Sequence, residues 1–133
     1  MESAHRRVVL VEEQDAVRQS LERALLFHGY KVISVSTALA AQELLLAGDY
    51  DLLLSDTALS YVDEGIQLAK WARIGRPVLP IILITGLPNP ALPASMRADT
   101  LIGLLSKPFG MAKLLTTMEA LIATSIKART CLA

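Results

Sequence analysis

Four stretches of this 133-residue sequence are apolar without interruption: Val8 to Val11, Leu52 to Leu54, Ile81 to Ile84 and Leu101 to Leu105. A strand with one wet face alternates apolar and polar side chains, whereas a strand covered on both faces has no reason to. The four runs therefore predict strands buried on both sides, as in a parallel sheet sandwiched between helices. A fifth run, Lys31 to Val35, does alternate and suits a more exposed place in the same sheet.

Helical patterns fill the gaps. Between Asp15 and His28, the residues Val17, Leu21, Ala24 and Leu25 recur at helical spacing, and Gly29 follows as the left-handed residue that ends a helix, with apolar Tyr30 behind it. Thr37 is placed to cap a second helix that carries Leu44 and Leu45 and ends near Gly48, and Ile66 to Ala72 supply the middle of a third. After Gly110, the side chains of Met111, Leu114, Leu115, Met118, Leu121 and Ile122 fall on one helical face, with the two methionines as core fillers. The fourth helix is interrupted by Pro88, Pro90 and Pro93. Asn89 and Pro90 suit a cap and a first helical residue, but Pro93 lacks the amide a continuing helix needs, so a short or irregular helix is expected. Five strand-helix alternations call for right-handed crossovers and an α/β fold, a three-layer, doubly wound (βα)5 parallel sheet.

The length fits one domain, and a chain with 53% hydrophobic and 20% charged residues has the apolar content a heavily buried sheet demands. Lys plus Arg equals Asp plus Glu at 13 each, which leaves no general electrostatic pull toward nucleic acid or anionic membrane. The longest apolar runs are about half of the roughly 20 residues a membrane span needs, and the start MESAHRRVVLVEE has too short a run for a signal peptide, so a cytoplasmic location is expected. Cys131 alone closes no internal disulfide and has no partners for a zinc site, and His5 and His28 are the only imidazoles.

In sheets of this kind ligands bind beyond the carboxyl ends of the strands. The first strand ends in Glu12 and Glu13, the third in Asp56, the fourth in Thr85 with Gly86, and the fifth in Lys107 with Pro108. Three carboxylates, a hydroxyl and an ammonium are thus expected on one rim. Taken singly, each has an ordinary reading: acids at a helix start, a turn Asp, a turn Thr-Gly, a solvated Lys before a bend.

The motifs VVLVEEQD, DYDLLLSD, IILITG and LLSKPF, in this order and at these spacings, resemble the receiver domain of bacterial two-component response regulators from about Val8 to Ile126. The resemblance implies a flavodoxin-like strand order 2-1-3-4-5, a receiver over residues 1–126 and a tail over 127–133. It implies that Asp56 accepts a phosphoryl group as an aspartyl phosphate, with Lys107 and Thr85 binding the phosphoryl oxygens. It assigns Mg2+ to Glu13, Asp56 and the Ala58 backbone carbonyl, with Glu12 orienting water. The residues agree with that chemistry: carboxylates about 4 Å apart repel by around 4 kcal/mol at an effective dielectric near 20, so such a rim favours a divalent cation, and carboxylates are known covalent nucleophiles. Implied partners are a histidine kinase or phosphotransfer protein and a downstream protein bound when Thr85 and the position of Leu104 switch, with homodimerisation through the fourth and fifth helices one arrangement the family uses.

Several positions depart from the family pattern. Both acids of the pair are Glu, where members usually carry at least one Asp, and the extra methylene shifts the oxygens that would meet the metal. LSYVDEG holds one extra residue and has Ser60 where Pro is usual, Leu104 replaces the aromatic switch residue, and Thr100-Leu101 replaces Gly-Ala. The alternative is accordingly a degenerate receiver that binds a protein without phosphorylation. A haloacid dehalogenase type of phosphatase would want a second Asp where Ala58 stands, and a flavin phosphate would be repelled by Glu12 and Glu13. With no room for an effector domain after Ile126, the expectation is either a stand-alone regulator or a receiver cut from a longer protein.

Overall fold

The residues described by the computed structural model are 6–86 and 91–132, without the side chains of 131 and 132. Strand and helix alternate five times: β1 (Arg7–Val11), α1 (Asp15–Phe27), β2 (Lys31–Val35), α2 (Ala38–Ala47), β3 (Leu52–Asp56), α3 (Glu64–Gly75), β4 (Ile81–Thr85), α4 (Ala94–Arg97), β5 (Ile102–Ser106) and α5 (Met111–Leu132). All pairings are parallel and the strand order is β2-β1-β3-β4-β5. This is the three-layer, flavodoxin-like α/β fold expected.

Successive residues of each inner strand feed opposite layers, because side chains alternate across a strand. Val9, Val11, Leu53, Ile81 and Leu83 pack with α2, α3 and Met96 of α4. Val8, Leu10, Leu52, Leu54, Ile82 and Ile84 pack with α1 and α5. Every residue of β3 and β4 is buried, which explains runs without alternation. Val8 to Val11 of β1 are buried as well, so three of the four runs meet the expectation in full.

The fifth strand corrects it. β5 has only β4 beside it, and α4, a single turn, covers little of its flank; Leu105 is buried but Leu104 is 41% exposed. The apolar run Leu101 to Leu105 is therefore a half-covered edge strand. β2, the other edge, has the partial exposure its alternation predicts.

The helix ends follow local chemistry. Gly29 has φ 93°, a left-handed conformation that costs glycine little, and Tyr30 N–H donates to the Leu25 carbonyl. The Thr37 hydroxyl accepts from the Ala40 amide at 3.1 Å. Pro93 precedes α4 in extended conformation, so the helix starts only at Ala94; Asn89 and Pro90, read as its cap and first turn, lie outside the described residues. Asp99 fixes the exit from α4, accepting from Arg73 Nε at 2.7 Å and from the Leu101 amide at 2.8 Å. The last helix continues through residues 127–132, the stretch assigned to a tail. No helix among the described residues is long and apolar enough to cross a membrane.

Candidate functional site

The carboxyl ends of β1, β3, β4 and β5 meet at one rim. Asp56 is the last residue of β3 and is buried, paired in register with Ile84 of β4. Thr85 ends β4 and is buried; its carbonyl accepts from the Lys107 amide at 2.8 Å, which ties the start of the β5–α5 loop to the rim. From there Lys107, in a cis peptide bond to Pro108, places Nζ 3.4 Å from Asp56 Oδ1 and 3.9 Å from Glu12 Oε1.

Of the acidic pair, only Glu12 enters this group. It is 3% exposed, with one oxygen accepting from the Gln14 amide at 2.9 Å and its backbone carbonyl accepting from Arg18 Nη1 at 3.1 Å. Glu13, one residue further beyond the strand, is exposed. The expected convergence of three carboxylates is thus one of two: consecutive side chains leaving β1 diverge, and Glu12 is the one held inward. Ala58 sits in the β3–α3 loop, exposed and two residues past Asp56, and Leu104 stands out on the edge strand.

Two acidic oxygens in this group, Glu12 Oε1 and Asp56 Oδ1, are buried and make no hydrogen bond. The Asp56 carboxyl is pushed up to about 7, first by burial, then by the neighbouring Glu12 carboxylate, and only partly relieved by Lys107. Lys107 lies close to both oxygens but is 43% exposed, so its attraction is shared with water. Among the described residues no three His, Cys, Asp or Glu side chains are grouped as metal ligands. Two carboxylates with unsatisfied oxygens nevertheless fit Mg2+, which takes one or two protein carboxylates and fills its other positions with water or phosphoryl oxygens.

Two features of the site were not singled out from sequence. Gly65, in the first turn of α3, donates its amide to the Thr57 carbonyl at 2.8 Å, and a Cβ there would overlap the Asp56 carbonyl oxygen. A glycine inside a helix start, where alanine would serve the helix better, was the available signal. The second is a cleft of about 610 Å3 between α1 and the β5–α5 loop that opens beside Asp56. Its walls come from side chains 17, 21, 109 and 111, distant in sequence and readable only as core.

Comparison with known proteins agrees with this fold. Residues 8–119 match the response regulator receiver domain. The chain is 33% identical over 117 residues to the response regulator receiver protein CpdR of Brucella abortus, covering 88% of this chain and 97% of that protein. It is equally 33% identical over 117 residues to the sensor kinase CckA of the same organism, covering 86% of this chain but spanning only 12% of that protein. Among solved structures, the signal receiver domain of an HD domain-containing protein from Pseudomonas fluorescens Pf-5 superposes with a TM-score of 0.81 at 27% identity, covering 92% of this chain and 98% of that one.

Proposed function

The chain belongs to the response regulator receiver domain family, and on that premise we propose that it is a working phosphoacceptor in a two-component phosphorelay, with Asp56 as the nucleophile. The observation that carries this reading is the pair of buried, unsatisfied acidic oxygens on Glu12 and Asp56 with the Lys107 ammonium between them. A merely structural strand end has no reason to bury an unsatisfied oxygen on each of two neighbouring acids, since each costs stability there.

The residues divide the work. Asp56 attacks phosphorus, Lys107 offsets charge on the incoming phosphoryl oxygens, and Thr85, on the adjacent strand, is placed to turn its hydroxyl toward them. Glu12 and Asp56, joined by Glu13 and the Ala58 carbonyl as the family resemblance assigns them, would hold Mg2+. When bound, that ion supplies positive charge against the carboxylates and the phosphoryl group. The donor would be a histidine kinase or phosphotransfer protein, consistent with a relative that is itself a sensor kinase. The output would be a change at the face of α4, β5 and α5, where Leu104 is exposed, toward a downstream protein. A homodimer through α4 and α5 would have to be built on a single turn of α4. We place this activity in the cytoplasm, as a signalling step and not as turnover of a substrate.

Two observations favour the second reading, a degenerate receiver that binds its partner without phosphorylation: Glu13 is exposed, and Lys107 already partly neutralises the two inward acids. Intact mass after incubation with acetyl phosphate and Mg2+ separates the two. The working receiver gains one phosphoryl group, lost in Asp56→Asn and without Mg2+; folded protein that gains none at high donor concentration is the degenerate form.

A further inference from the structure

We propose that the cleft beside Asp56 selects small acyl phosphates whose acyl group is apolar and longer than acetyl; the inference rests on the phosphoacceptor reading and specifies the donor. The cleft is lined by two kinds of side chain. Asp56, Glu12, Lys107 and Ser20 form its polar part, and Val17, Leu21, Ile84, Phe109 and Met111 make up most of the remainder. Val17 and Leu21 lie one turn apart on α1, facing Phe109 and Met111 across the opening, and all four are half-buried.

An acyl phosphate has the same division. Its phosphoryl group is anionic and is drawn to the Lys107 ammonium, while its acyl chain is uncharged. In the reaction an Asp56 carboxylate oxygen bonds to phosphorus, the bond from phosphorus to the acyl oxygen breaks, and the acyl group departs as a carboxylate with the bonding electrons. No net proton is transferred. With Asp56 under attack geometry, the acyl group has the apolar walls as its neighbouring surface within the cleft. Acetyl offers one methyl group to them, and butyryl adds two methylenes. Each methylene removed from water is worth a factor of about four, so full burial of both favours butyryl phosphate by about 15-fold.

The test compares initial rates of Asp56 phosphorylation of the full chain by acetyl and butyryl phosphate, at equal concentrations below saturation with Mg2+, read by intact mass. The native chain is expected to prefer butyryl phosphate by about 4-fold to about 15-fold, for one to two buried methylenes. Val17→Thr and Met111→Gln keep side-chain size but make the walls polar, and both are expected to bring the ratio toward one. Leu39→Gln, on the exposed face of α2, leaves it unaltered. Equal native rates, or a ratio unmoved in both cleft variants with native melting behaviour, overturn the proposal. Labelling by neither donor means that the phosphoacceptor reading has failed. The cleft is then judged by NMR titration with methylphosphonate and n-butylphosphonate: tighter binding of the butyl compound supports it, and equal binding overturns it.

Discussion

Asp56 carries its charge at a cost to the fold. Its carboxyl is held at about 7 against an ordinary 3.8, so the folded chain binds a proton there more tightly than the unfolded chain does. Below about pH 4 both states are protonated and nothing is lost; as pH rises toward 7 the unfolded state ionises first, and the native state is progressively penalised. Asp56→Asn is therefore expected to be more stable than the native chain in metal-free buffer. The difference should grow between pH 4 and 7, level off above, and reach on the order of 3 kcal/mol, measured by urea denaturation across that range. Glu12 is the second cause of the shift after burial. Glu12→Gln keeps an oxygen for the Gln14 amide and removes the negative charge, so the Asp56 titration followed by carboxyl carbon NMR should fall by about one unit. Sequence alone named both residues, but it brought Glu12 and Glu13 to the rim together and, by family resemblance, gave the metal contact to Glu13. Which of two adjacent acids turns inward is decided by the backbone at the end of β1 and by the Gln14 and Arg18 contacts, and no spacing rule contains that.

Among the elements, α3 and β5 are the most exacting and the least. Gly65→Ala puts a methyl group into the Asp56 carbonyl, and since the obstacle is backbone, relief requires α3 to move from the end of β3. A loss of about 3 kcal/mol or more is expected, seen as a melting temperature lowered by roughly 8 °C or more. On β5 two neighbouring leucines should differ sharply. Leu105→Ala empties a buried site and costs about 2–5 kcal/mol, whereas Leu104→Thr at the exposed edge stays within about 0.5 kcal/mol, both read by denaturant midpoint. The elements were mostly legible from their sequence. Gly29 and Thr37 act locally and mark helix boundaries wherever they occur, so α1 and α2 could be bounded well. Leu104 could not be read, because its exposure depends on β5 being an edge strand and on α4 being a single turn, and both are properties of the assembled sheet.

For the molecule as a whole, the sheet divides the interior into two cores that share only its strands. Leu45 belongs to the α2–α3 side and Met118 to the α1–α5 side. Each truncation to Ala should cost about 2–5 kcal/mol, and the double variant should match their sum within about 0.5 kcal/mol. Unfolding followed by Trp71 fluorescence, which reports the first core, should coincide with far-ultraviolet circular dichroism if the two cores melt as one unit. The order of strands was legible through family resemblance, not through any run taken singly, since an apolar run says that a strand is buried without saying beside what. That order has a consequence of its own. Glu12, Asp56, Thr85 and Lys107 arrive at the ends of four different strands, and the last to emerge in synthesis is the only cation of the four. The rim thus behaves as a coincidence detector for folding. A chain lacking β5 would present the acids without their ammonium, and the phosphoacceptor role proposed for Asp56 would be open only to the finished sheet.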